Sequence, residues 1–451
     1  MNNNPLAVLE RPGSGARIAF LALLFATTPS LAQTLPDSVD LPTVLALIKE
    51  ASPRVALERQ NLAIAHAERR TAGAWPNPTV SYSHSRQPGV LTNFDGTKAQ
   101  EVSIELPILV AGQRGVRMKA ADRGIEAAQA QLAASGNNLA ADAGAAFVAL
   151  LLAQEKRATR VVGVDELSRL RDMVAGRQAA GMASQYELLR VDVELASWRT
   201  QTAEAEADFA DAQAQLAALL GFPDWKPRGT GELRPLELEP GATEALENPA
   251  FVAAQKEEDA AQAGVEVARR ERFPGVSLNA GRFWTSSPFG ATNMLGLSVE
   301  IPVFDTRSGA LDKARAEALS AGLRRRLMEA EVLADVYRYS VQVAQRTATL
   351  ERFRAQMAPH LPTLKQMAED SYRLGKSSIT ELLDATRARY EAQIDQLNLV
   401  ASLMEAQLRL QAARGKLSTA PTDSSDALQS EKTGSRMIRE PVFSNTDTPD
   451  R

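Results

Sequence analysis

The sequence predicts a mixed α/β membrane protein with an internal two-fold repeat, each copy joining a short strand pair to very long helices. Three observations carry this reading. Landmarks return after about 194 to 198 residues: Gly181 and Tyr186-Glu187-Leu188-Leu189 as Gly375 and Thr380-Glu381-Leu382-Leu383, Ile104-Glu105-Leu106-Pro107 as Val299-Glu300-Ile301-Pro302, Trp75-Pro76 as Phe273-Pro274, and Ser52-Pro53 as Asn248-Pro249. Helical patterning runs almost unbroken from Gln113 to Ala180 and again from Arg307 to Leu374. Each copy also holds two alternating, proline-bordered runs of roughly strand length.

The chain opens with Arg11 and Arg17, an apolar run from Ile18 to Phe25, and Ser30-Leu31-Ala32 before Gln33. That order predicts a signal peptide over 1–32, since the run is too short to cross about 30 Å of hydrocarbon. Leu41 to Arg70 reads as a helix interrupted at Pro53 and stopped by Trp75-Pro76-Asn77-Pro78. Strands are expected at about 79–87 and 98–107, with Val80 and Tyr82 on one face and Val102, Ile104 and Leu106 on another. Pro88-Gly89 and Asn93 to Gly96 supply the turn.

A helix from Gln113 to Ala180 extends on the order of 100 Å, so it must bury its Leu, Val and Ala stripe in a coiled-coil-like bundle. Gly181 reverses the chain into a return helix over 184–219. Residues 221–247 are rich in Pro and Gly and read as an equatorial connector between repeat 1 (33–220) and repeat 2 (248–418). The second copy gives a helix over 250–272, strands at about 276–284 and 293–302, and a long helix carrying Pro359 and Pro362. A reversal at Gly375 and a helix over 378–414 complete it. Pro107 and Pro302 are expected to end the second strand of each pair. Beyond 418 the polar composition predicts a disordered tail over 419–451.

Composition narrows the function. A net charge of −4 with no basic run argues against nucleic acid. There is no cysteine, hence no disulfide and no lipid-bearing cysteine. No stretch after the leader reads as a membrane helix, so any membrane entry must use strands. Four strands cannot close a barrel, and an open edge in lipid leaves backbone groups unsatisfied. The smallest membrane barrels have about eight strands, so at least two chains must share one. The alternatives are a soluble sheet packed on helices and, of another class, a periplasmic coiled-coil scaffold without a pore.

With these features in place, the chain resembles the TolC family of outer-membrane efflux channels across nearly all of 40–418. The resemblance rests on Ala72 to Pro78, Glu105-Leu106-Pro107, Glu300 to Phe304, and Ser371 to Ala385. It implies a homotrimer with a twelve-stranded outer-membrane barrel, four strands per chain, continuous with a long α-helical periplasmic barrel. Implied partners are a periplasmic adaptor protein, an inner-membrane resistance-nodulation-division (RND) pump and outer-membrane lipid. Ala72 to Pro78 is most similar to the CzcC-like branch that serves heavy-metal cations. Outlets for type I secretion or for drugs are the neighbouring alternatives.

The resemblance places a periplasmic gate at Tyr372, Glu381 and Asp384. It makes the reversals at Gly181 and Met182 and at Gly375 and Lys376 the adaptor-contact tips. Ser377 stands where the family's namesake carries a gate arginine. Glu187 and Arg190 occupy the positions of Glu381 and Asp384 in the first copy, so the full acidic pair belongs to the second. His66, His84 and His360 are too scattered for a metal site. No catalytic set or cofactor motif occurs at usable spacing, and no enzyme is expected.

Overall fold

Eight α-helices and a four-stranded antiparallel sheet dominate this computed structural model, which describes residues 35–86, 98–237, 247–286 and 290–417. The expected signal peptide, the 88–96 turn, part of the connector and the polar tail lie outside the described residues.

α1 (Leu41–Ala51) starts at Asp40, whose carboxylate accepts the Thr43 N–H at 2.9 Å. α2 (Pro53–Ala72) restarts after Ser52, which the following proline holds in extended backbone. The strand pair β2 (Thr79–Arg86) and β3 (Lys98–Ile108) leads into α3 (Gln113–Ala179) and its return α4 (Gln185–Leu220). The second half follows as α5 (Pro249–Arg270), β5 (Val276–Thr285), β6 (Ala291–Val299), α6 (Ser308–Gln356), α7 (Leu361–Arg373) and α8 (Ile379–Ala413). α6 and α7 are separated by a 3₁₀ turn over Ala358–His360, because Pro359 and Pro362 each lack the donor a continuous helix needs.

Several expectations are corrected. The connector is not without strand: β4 (Arg228–Gly229) pairs in parallel with β1 (Ser38–Val39), the Thr230 N–H donating to the Val39 carbonyl at 2.7 Å. Two residues show no alternation to read. β3 runs through Pro107 to Ile108, since its ladder with β2 ends at Glu105 and leaves one side unpaired there. β6 stops at Val299, short of Pro302. Val80 and Tyr82 share a face with Val102, Ile104 and Leu106, because Val80 sits opposite Ile104 and Tyr82 opposite Val102. α3 does contain one stretch long and apolar enough to qualify as a membrane span, but 67% of it is buried against protein. Its apolar residues belong to the bundle interior, and α3 packs chiefly against α5, α4, α2 and α8.

Proline and glycine lock the ends of the return helices onto the start of their own half. Gly221 (φ 87°) closes α4 and Gly415 (φ 71°) lies just past α8. A Cβ at Gly221 stands 2.7 Å from the Pro53 ring, and one at Gly415 stands 2.8 Å from the Pro249 ring. Neither site tolerates a side chain, on backbone or packing grounds.

Farther along the bundle, Leu167, Leu170 and Val174 of α3 pack on Val191, Leu195 and Trp198 of α4 and on Tyr372, Leu382 and Tyr390 from α7 and α8. The Trp198 and Tyr390 rings meet edge to face at 5.1 Å, and Gly163 makes room for both. A Cβ on Gly163 falls 2.6 Å from Trp198 and 3.2 Å from Tyr390. Gly163→Ala is therefore expected to cost about 1–3 kcal/mol by overpacking. Gly176→Ala, in the same helix with nothing within 4 Å, should be neutral or stabilising. Thermal melts followed by tryptophan fluorescence compare the two; equal effects contradict the packing account.

Candidate functional site

The sheet β2-β3-β5-β6 has two unlike faces. Strand alternation puts Val80, Ile104, Ala280 and Leu295 in one register row across all four strands. Leu106, Leu278 and Leu297 form the next row, then Ile108, Val276 and Val299. Most of these are exposed, Leu295 at 79% and Val80 at 69%. An apolar surface of that extent marks contact with lipid or protein. The opposite face is polar: Thr79, Glu105, Asn279 and Gly296 in one row, Ser83, Glu101, Phe283 and Thr292 in another. On the central strand β3, Ala99, Glu101 and Ser103 of that polar face are less exposed than Gln100, Val102 and Ile104 of the apolar one, so the sheet curls toward the polar side.

Arginines hold the segments that lead from the helices into the sheet. Arg114 donates to the Gly73 carbonyl at 2.7 Å and lies 5.2 Å over Trp75. Arg117 pairs with Glu271 at 3.0 Å, and Arg307 donates to the Glu271 carbonyl at 2.5 Å. These donors fix how the strands leave the bundle.

The two helix reversals share one geometry. After α3 the Met182 N–H reaches the Arg177 carbonyl at 2.8 Å, with Gly181 at φ 75°. After α7 the Lys376 N–H reaches the Ser371 carbonyl at 2.8 Å, with Gly375 at φ 70°. Both use the left-handed glycine that closes a helix C-terminus. Ser184 and Ser378 then cap α4 and α8, and Glu187 completes the capping box at the first. Met182, Gly181, Gly375 and Lys376 are all exposed.

The three expected gate residues differ in burial, although Tyr372 packs with Leu382 and Leu383, the neighbours of Glu381 and Asp384. Tyr372 is buried at 3%, with the Arg177 guanidinium 4.8 Å over its ring. Burial and the nearby Glu187 carboxylate push its phenol up from the usual range. Its hydroxyl and that of Ser377 are buried with no hydrogen-bond partner among the described residues. Glu381 and Asp384 point outward from the first turns of α8, and Asp384 lies 4.0 Å from Arg387.

Between the reversals and the bundle centre lies a charged network that the sequence did not reveal. Arg387 of α8 grips Glu194 of α4 through both carboxylate oxygens, at 2.7 and 2.6 Å, and the Trp198 indole donates to the same carboxylate at 2.9 Å. Glu166 of α3 accepts from Lys365 of α7 at 2.7 Å, from the Tyr390 hydroxyl at 2.7 Å and from Arg389. Burial raises both carboxylates, but the hydrogen bonds and cations outweigh it and hold them below the ordinary glutamate range. Arg177 adds two bonds of 3.2 Å from α3 to the Tyr372 and Arg373 carbonyls. Together they pin the α7–α8 hairpin to α3 and α4. These partners are 193 to 224 residues apart, so no local spacing rule could have paired them.

The family profile described as "Outer membrane efflux protein" matches residues 44–222 and 243–416. The cobalt-zinc-cadmium resistance protein CzcC of Cupriavidus metallidurans is 28% identical over 325 residues, 69% of this chain and 75% of that protein. The nickel-cobalt-cadmium resistance protein NccC of Alcaligenes xylosoxydans is 28% identical over 342 residues, 73% of each. The crystal structure of CusC, described in terms of folding and transmembrane channel formation, superposes with a TM-score of 0.72 at 18% identity. It covers 85% of this chain and 95% of its own.

Proposed function

The chain belongs to the outer membrane efflux protein family, and on that premise we propose that it is the outer-membrane conduit of a tripartite efflux assembly exporting divalent heavy-metal cations. The observation that carries the proposal is the two-faced sheet. β3 has 11 residues, about 36 Å of extended chain, which at a tilt near 45° covers the roughly 25 Å apolar band of an outer-membrane barrel. The apolar rows face lipid and the polar, concave side lines the lumen. Four strands per chain leave two open edges, which closure with two further copies removes, giving a homotrimeric twelve-stranded barrel. The helices then form the periplasmic tunnel, with residues 33–220 and 248–418 as its two repeats and 221–247 at its equator.

In this assembly the chain performs no chemistry and carries no lipid anchor, having no cysteine. An inner-membrane RND pump supplies the energy. The periplasmic adaptor meets the exposed reversals at Gly181, Met182, Gly375 and Lys376. Tyr372, Glu381 and Asp384 form the gate, where three chains set six carboxylates around one axis and favour cations. With Ser377 in place of an arginine, the closed state relies on Arg177, Arg387 and Arg389 instead.

Metal cargo is supported by the cobalt, zinc, cadmium and nickel resistance relatives and by a lumen face whose described charges, Glu101 and Glu105, are both acidic. The test is cellular: a strain lacking the protein should accumulate cobalt, zinc or cadmium, and the wild-type chain should restore export. Unchanged metal content in the deletion strain overturns this cargo. For the gate, Glu381→Ala with Asp384→Ala should weaken block of the channel by multivalent cations severalfold. Unchanged block refutes the acidic gate.

A further inference from the structure

We propose that the lipid-facing side of the sheet carries, at its hairpin end, a basic and aromatic band that binds phosphorylated lipid headgroups. This rests on the reading that the sheet spans a membrane. Charge is fully sorted between the faces among the described strand residues. The acids, Glu101 and Glu105, lie on the polar face; the cations, Arg86, Lys98 and Arg282, lie on the apolar one.

The cations are also grouped in height. Arg86 and Lys98 stand directly opposite each other in the outermost row. His84, Gln100 and Trp284 form the row below, and Tyr82, Val102, Arg282 and Asn293 the next. Below that begins the apolar row of Val80, Ile104, Ala280 and Leu295.

A like-charge pair in direct register, with Cβ atoms about 5 Å apart, destabilises a sheet unless an anion sits between the two heads. None of Arg86, Lys98 and Arg282 has an ion pair among the described residues. Backbone pairing fixes the strand ends that carry these cations. Lys98 is held to Ser286 by two backbone-directed bonds, of 3.2 and 3.0 Å, and the Arg282 guanidinium lies 5.6 Å over the Trp284 ring. Long cationic side chains around an indole, immediately beyond an apolar band, match the headgroup level of a bilayer, where lipid phosphates lie. Continuity with the apolar rows selects a lipid over a free anion, since acyl chains can lie against Leu295 and Ile104 while the phosphate meets Arg86 and Lys98.

The full chain is reconstituted in phosphatidylcholine vesicles doped with brominated-acyl phosphatidylglycerol or brominated-acyl phosphatidylcholine, and tryptophan quenching gives relative association constants. Wild type should favour phosphatidylglycerol on the order of threefold to tenfold. The preference should fall with salt and vanish in R86Q/K98Q/R282Q, whose quenching by brominated phosphatidylcholine shows that it still inserts. A preference that survives in the triple variant, or is absent in wild type despite quenching by both lipids, overturns the proposal alone. Quenching by neither lipid overturns the membrane reading beneath it. Loss of preference on adding inorganic phosphate, but not chloride at equal ionic strength, overturns the lipid assignment in favour of a free-anion site.

Discussion

Leu295→Arg should abolish heat-resistant oligomers and outer-membrane assembly, whereas Ser81→Arg should leave both intact. Leu295 lies in the row shared with Val80, Ile104 and Ala280, on the face assigned to lipid. An arginine near mid-membrane costs about 2–4 kcal/mol in a barrel. Three copies multiply that cost, and net stabilities are only about 5–15 kcal/mol. Ser81 stands opposite Ser103 on the other face, where a luminal arginine keeps its water. Semi-native gels and membrane fractionation read the outcome. If Ser81→Arg is the damaging change, the two faces have been assigned the wrong way round.

The second large effect is expected at Arg387. Its partner Glu194 is 7% exposed, so Arg387→Ala strands a nearly buried carboxylate, at a cost of about 3 kcal/mol. Because the pair joins α8 to α4, the loss should fall on the α7–α8 hairpin. Hydrogen exchange should quicken over 379–390, and channels in planar bilayers should open more often. Arg387→Lys should restore part of the effect, since an ammonium keeps the charge without the two-pronged grip.

Acid should mimic the substitution. Glu194 and Glu166 have depressed values in the folded chain. Their contribution is complete above the ordinary glutamate pKa of about 4.3 and is lost as pH falls through the lower folded values. Wild-type open probability should therefore rise below about pH 4, and the step should shrink in Arg387→Ala, which already lacks one of the two links. An identical acid response in both proteins removes Glu194 from the account.

Long-range periodicity makes the helices legible: α3 is expected over 113–180 and spans Gln113–Ala179, with proline at the α1–α2 and α6–α7 breaks and Gly181 at the α3–α4 reversal. The strands were legible from alternation, but their common face was not. Register is set by which residues pair across the hairpin, so Val80 and Val102 had no visible relation until Val80 met Ile104. Only the family resemblance points to the gate residues. Glu381 and Asp384 lie exposed on α8, whereas Tyr372 is buried beneath Arg177. The arginine network was hidden because its partners come from different helices. Only packing, through Gly163, Trp198 and Tyr390, brings those helices together.

The most direct test of the central claim is the reversal potential of the purified chain in planar bilayers under a potassium chloride gradient. A conduit lined by Glu101 and Glu105, and closed by Glu381 and Asp384, should give discrete conductance steps with a reversal potential of cation-selective sign. Absence of steps contradicts the channel, and a reversal potential of anion-selective sign contradicts the acidic path through it.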